Sequence, residues 1–197
     1  MEKGKLIFVT GGVRSGKSSF AEELATDWSR ELDANLHYIA CGVPSDKEMR
    51  QRITRHQENR SIASINWKTW ECPTNLQRIS SNFSKQDILV LDCATTLLNN
   101  YLFDQNINDS SVVMNYMLTD IFSLQEASSG VIVVSNEVMQ DVPHQASVTR
   151  KYQYILGNVH QNIVEWADAA YLVESGIPVC KKGGAENERD NDPGNCF

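Results

Sequence analysis

Gly11-Gly12-Val13-Arg14-Ser15-Gly16-Lys17-Ser18 follows directly on the apolar run Leu6-Ile7-Phe8-Val9. The spacing is Gly-x4-Gly-Lys-Ser, set between a strand-like run and a helix-compatible stretch from Ser19 to Glu31. This is the context in which such a motif cradles phosphate. Small and flexible residues let consecutive backbone N–H groups curl around an anion, and the helix that follows presents its positive N-terminus. Lys17 supplies a cation for the terminal phosphates, and Ser18 offers a hydroxyl to a magnesium ion. The pattern alone is compatible with an accidental loop; strand, turn and helix together read as a nucleoside-triphosphate site for ATP or GTP.

Outward from this loop, strand-like runs recur at Lys5 to Thr10, Leu36 to Ala40, Ile88 to Asp92, Val131 to Ser135 and Ala170 to Val173. They are continuously apolar rather than alternating, which predicts strands covered on both faces of a parallel sheet. Ile177 to Cys180, after the turn residues Ser175-Gly176, reads as a short edge strand. Helices are predicted between them. Ser147 to Asp168 carries Val148, Tyr152, Ile155, Leu156, Val159, Ile163 and Trp166 at helical spacing, and Asp46 to Arg60 and Ser111 to Ala127 are further helices. The expected fold is α/β: a P-loop NTPase-like three-layer α/β/α sandwich with a mostly parallel sheet. The domain is expected over residues 1–181, with a flexible polar tail over 182–197.

A length of 197 residues suits one such domain. The net charge of −7 argues against nucleic acid or an anionic membrane as the main partner, and no apolar run is long enough to span a bilayer. No signal peptide is expected at the N-terminus. The five cysteines are scattered without a Cys-x-x-Cys pair, so reduced thiols and a cytoplasmic location are expected rather than a zinc site or disulfides. Cys93, at a strand end, reads as a small buried residue rather than a nucleophile.

In a doubly wound sheet, ligands gather beyond the carboxyl ends of the strands. Asp92 ends the run Ile88-Leu89-Val90-Leu91 and is placed to hold magnesium beside Ser18, or to cap a helix beginning near Ala94, or both. Ser135-Asn136-Glu137 brings polar groups to the same rim, with either a ligand-contacting or a structural role. The stretch Asp46 to Arg60 carries Lys47, Arg50, Arg52, Arg55 and Arg60 against Asp46, Glu48 and Glu58. His56 shares its face with Met49 and Ile53. By periodicity alone this histidine reads as packed or interfacial, and the arginines as a solvated face.

Several segments taken together alter that reading. The loop Gly11 to Ser18, Glu48-Met49, Arg52-Ile53-x-x-His56, Trp67-x-x-x-Glu71-x-Pro73-x-x-Leu76, Asp92-Cys93-x-Thr95 with Asn100, Ser135-Asn136-Glu137-Val138 and Ser175-Gly176-Ile177-Pro178 occur in this order. The set resembles the bifunctional adenosylcobinamide kinase / adenosylcobinamide-phosphate guanylyltransferase family of cobalamin biosynthesis. The resemblance implies two reactions: phosphorylation of adenosylcobinamide by ATP or GTP, then transfer of GMP from GTP to adenosylcobinamide phosphate with release of pyrophosphate. It also implies a covalent GMP–histidine intermediate at His56; Lys17, magnesium bound at Ser18 and nearby arginines would offset charge on the departing pyrophosphate. Guanine-nucleotide contacts are implied at Ala40, Cys41, Gly42, Gln57, Glu58, Asn59, Arg60, Glu71 and Asp92, and a homotrimer is implied for the assembly. Arg52, one helical turn before His56, would favour the unprotonated ring that attack requires.

The chain departs from the family pattern in two places. Val138 is followed by Met139-Gln140-Asp141-Val142-Pro143, without the usual glycines, and Gln153-Tyr154 stands where the family carries an Arg-Asp pair. Such changes bear on acceptor recognition, subunit packing or one of the two activities, not on the phosphate loop. A kinase using only the phosphate loop, and a nucleotide-binding protein without turnover, are the competing readings.

Overall fold

The computed structural model describes residues 3–42, 66–105, 107–137 and 147–183. The expected helix at 46–60, with His56 and Gln57 to Arg60, lies outside the described residues, as do the altered stretch 139–143 and the tail from 184.

Among the described residues, seven strands form one sheet in the order β3-β2-β4-β5-β1-β6-β7. They are β1 (Lys5–Gly11), β2 (Asn35–Ala40), β3 (Trp67–Glu71), β4 (Asp87–Asp92), β5 (Gly130–Asn136), β6 (Ala169–Glu174) and β7 (Ile177–Lys182). All pairings are parallel except β6 with β7. The continuous hydrophobicity of the central strands has the expected cause. Leu89 and Leu91 of β4 join one core cluster and Ile88 and Val90 the other, and β1 divides Leu6 and Phe8 from Ile7 and Val9 in the same way.

One face is covered by α1 (Lys17–Leu32), which buries Ala21 and Ala25 and packs Phe20, Leu24 and Trp28 beside them. The other face carries α3 (Ala94–Asn99), α4 (Ser110–Ala127) and α5 (Ser147–Trp166) through Leu97, Met117, Ile121, Ile155, Val159 and Ile163. The result is the three-layer α/β/α sandwich expected from the sequence. The short α2 (Gln77–Ser80) follows β3, and a π-helical turn, Asn100–Asp104, extends α3. The start of α4 is fixed by Asp109, whose carboxylate accepts the Ser111 and Val112 N–H groups.

The sequence does not reveal β3 as a strand. Its segment Trp-Lys-Thr-Trp-Glu is mostly exposed at the sheet edge, so it lacks the apolar run of its neighbours. The sequence does not reveal α2 or the π-helical turn either, and elsewhere element ends shift by a residue or two: α5 stops at Trp166 rather than Asp168. β7 runs on to Lys182, where the side-chain amine donates to the Val164 and Glu165 carbonyls at the end of α5, both at 2.8 Å.

Candidate functional site

The parallel register brings the ends of five strands to one rim. Gly11 at the end of β1 pairs with Asn136 of β5, Asp92 of β4 pairs with Ala40 of β2, and Ala40 pairs with Glu71 of β3. The described residues singled out from the sequence therefore stand along a single edge: Gly11 to Ser18, Ala40 to Gly42, Glu71, Asp92 and Asn136.

The phosphate loop leaves β1 and enters α1 through backbone conformations that few residues accept. Arg14 has φ of 60° and Gly16 has φ of 95°, and Ser15 N–H closes a turn onto the Gly12 carbonyl at 3.2 Å. A side chain at Gly11 would stand 2.4 Å from the Val173 carbonyl oxygen, so this position has no room for one. No side chain caps the N-terminus of α1. Its leading N–H groups are donors of the kind an anion satisfies. Lys17 is 7% exposed, and its amine donates to the Gly12 carbonyl at 3.1 Å, spanning the loop. An arriving phosphate would compete with that carbonyl for the ammonium group.

The turn between β6 and β7 buttresses the loop. Ser175 and Gly176 have φ of 51° and 83°, the left-handed pair that a two-residue hairpin turn requires. Gly176 N–H donates to the Ser15 carbonyl at 2.8 Å. A Cβ on Gly16 would lie 3.2 Å from Gly176 Cα, so the two turns are in close contact. Ser175-Gly176 stands out in the sequence as a motif, and its position supplies the physical role.

Asp92 is held by a residue that the sequence does not flag. Tyr38 on β2 donates its hydroxyl to Asp92 Oδ2 at 2.8 Å. In place of an Asp92 cap, α3 begins with Cys93 at its N-cap position and no side-chain cap bond. Ser18 and Asp92 offer a hydroxyl and a carboxylate, the hard oxygen donors that suit magnesium. No group of three or more His, Cys, Asp and Glu gathers as a metal cage among the described residues.

The next positions along the rim are tied together by hydrogen bonds. Thr95 Oγ1 accepts the Asn136 backbone N–H at 3.1 Å and its side-chain amide at 3.2 Å, and Glu137 N–H donates to the Gly11 carbonyl at 2.9 Å. Asn136 thus has a structural bond, joining β5 to α3. Beneath it, Ser135 Oγ meets His160 Nε2 at 2.7 Å, and burial lowers the imidazole pKa to about 4. Burial likewise raises the thiol pKa values of Cys41 and Cys93, which keeps them protonated and poor nucleophiles, in line with the expectation for Cys93. No helix among the described residues is long and apolar enough to cross a membrane.

The fold resembles that of the flagellar accessory protein FlaH from Methanocaldococcus jannaschii, with a TM-score of 0.50 over 93% of this chain and 80% of that one, at 15% identity. Sequence comparison reaches further. The bifunctional adenosylcobalamin biosynthesis protein CobU of Salmonella typhimurium is 32% identical over 185 residues, covering 88% of this chain and 98% of that protein. The bifunctional adenosylcobalamin biosynthesis protein CobP of Pseudomonas aeruginosa is 31% identical over 176 residues, covering 89% of this chain and 96% of that protein. Residues 7–181 match the sequence model of cobinamide kinase / cobinamide phosphate guanyltransferase, a span that begins in β1 and ends in β7. The chain belongs to the cobinamide kinase / cobinamide phosphate guanyltransferase family.

Proposed function

We infer that this protein catalyses the two steps that describe its family, phosphorylating adenosylcobinamide and then transferring GMP from GTP to the phosphate so formed. The observation that carries this reading is the match over residues 7–181, which reaches every strand of the described sheet as well as the phosphate loop. A kinase sharing only the loop would not account for it.

In the kinase step the acceptor hydroxyl attacks the γ-phosphorus of ATP or GTP, and the bond from that phosphorus to the β–γ bridging oxygen breaks. Gly11 to Ser18 hold the phosphates with backbone N–H groups and the Lys17 ammonium, which positions the γ-phosphorus for attack. In the second step an imidazole nitrogen of His56 attacks the α-phosphorus of GTP, forming a P–N bond as pyrophosphate leaves. The cobinamide phosphate oxygen then attacks the same phosphorus, breaking the P–N bond and regenerating the histidine. Ser18 and Asp92 would hold magnesium with the nucleotide, and the ion would supply positive charge against the phosphates. Ala40 to Gly42, Gln57 to Arg60 and Glu71 are the residues we assign to the guanine nucleotide. We further propose that the protein works in the cytoplasm as a homotrimer, which sedimentation equilibrium tests directly.

The reading is tested by supplying purified protein with adenosylcobinamide, ATP, GTP and magnesium, and following products by mass. Adenosylcobinamide phosphate followed by adenosylcobinamide-GDP is expected. Accumulation of the phosphate alone, with GTP present and no pyrophosphate released, would reduce the protein to a kinase.

A further inference from the structure

Where α3 widens into the π-helical turn, two consecutive residues, Asn100 and Tyr101, are each only 6% exposed. Asn100 Nδ2 donates to the Cys41 carbonyl at 2.9 Å and to the Pro73 carbonyl at 2.8 Å. An amide nitrogen carries two hydrogens, and these two acceptors use both. The carbonyls belong to different segments: Cys41 follows the last residue of β2, and Pro73 lies just beyond the end of β3. Cys72 N–H reaches the Ala40 carbonyl at 3.0 Å and Cys41 N–H reaches the Asp92 carbonyl at 3.1 Å, which prolongs the strand register by one step. Beyond that step the Asn100 side chain braces the two exits.

Tyr101 extends the brace along the same segment. Its hydroxyl accepts the Asn75 N–H at 2.9 Å and donates to Asp120 Oδ2 at 2.6 Å, and Asp120 Oδ1 accepts the Gln77 N–H at 3.3 Å. Asp120 is fully buried in α4, so the segment that leaves β3 is anchored to the core.

We propose that Asn100 is a positioning residue for the nucleoside end of the bound nucleotide, holding the exits of β2 and β3 at the separation a guanine base needs. It acts through Ala40 to Gly42 on one side and Glu71 on the other, without touching the ligand. The inference rests on the proposed function, which assigns those segments to guanine. The phosphate loop leaves β1, which β4 and β5 separate from β2 in the sheet. The brace therefore governs recognition of the base and leaves the grip on the phosphates alone.

Asn100→Asp keeps the side-chain shape but turns a carboxylate toward two carbonyls; Asn100→Ala removes the brace without adding charge. The test measures equilibrium binding of GTP, of inosine triphosphate (which lacks the 2-amino group) and of inorganic tripolyphosphate, each with magnesium. In both variants GTP affinity is expected to fall by about tenfold or more, as two buried hydrogen bonds are lost. The preference for GTP over inosine triphosphate should shrink with it, while tripolyphosphate binding stays within about twofold of wild type. In guanylyl transfer, KM for GTP should rise with kcat little changed. Retained tripolyphosphate binding also reports that a variant is folded, and if Asn100→Asp does not fold, Asn100→Ala carries the comparison. Equal weakening of GTP and tripolyphosphate, or unchanged GTP binding, overturns the proposal. A wild-type protein that binds GTP and inosine triphosphate equally would sink the guanine assignment itself, and this inference with it.

Discussion

Lys17 spans the phosphate loop and donates to the Gly12 carbonyl, so its ammonium group is already drawn toward the space the loop encloses. Lys17→Ala should lower both kinase and guanylyl-transfer rates by about 10²–10³-fold, the usual scale for removing one charge-stabilising donor. Initial rates, with circular dichroism as a check on folding, measure this. Asp92 is oriented by the Tyr38 hydroxyl, and Asp92→Asn keeps that contact while removing the charge we assign to magnesium. The expected result is a raised magnesium requirement for both steps, read from rates across a magnesium titration; an unchanged requirement would remove Asp92 from metal binding. At this scale the sequence is legible where chemistry is local. The phosphate loop is one contiguous motif, and Asp92 follows its own apolar run. Tyr38 left no such signal, because its partner is 54 residues away and only strand pairing brings them together.

Two adjoining turns fix the shape of the phosphate loop, one from β1 to α1 and one from β6 to β7. Gly16 sits at φ of 95° with Gly176 against it. An L-residue there costs about 1–2 kcal/mol in backbone conformation alone. Gly16→Ala should lower Tm by about 2–8 °C for a chain of this size, and should weaken nucleotide binding as well. Thermal melts with and without GTP separate the two effects. Most elements were readable for one physical reason: strands buried on both faces must be apolar throughout, and amphipathic helices must repeat near every third or fourth residue. The rule fails at β3, an edge strand with exposed Lys68 and Thr69, and at the π-helical turn, whose inward Asn100 is explained by two distant carbonyls rather than by periodicity.

For the molecule as a whole, the partial burial of His160 beneath the rim sets a pH dependence. Burial depresses the His160 pKa from 6.5 to about 4, so the unfolded chain binds more protons between those values. The stabilising effect of keeping this ring neutral is complete above pH 6.5 and is lost as pH falls toward 4. It amounts to up to about 3 kcal/mol. Urea unfolding across that window should show the decline, and His160→Asn should flatten it; an equal slope in both proteins would mean that other groups cause it. The resemblance that assigns function also works at this scale, since it depends on motifs dispersed over nearly the whole chain and not on any one of them. Length and charge alone reach only a single acidic domain; the apolar runs add the α/β fold and the phosphate loop adds the triphosphate site.

The central claim is that this fold transfers GMP by way of a histidine. Incubating the protein with α-labelled GTP and magnesium, without acceptor, measures it most directly. The account predicts an acid-labile, base-stable adduct on the wild-type protein, lost in His56→Ala and discharged by adenosylcobinamide phosphate. Recovery of the same adduct from His56→Ala would contradict it.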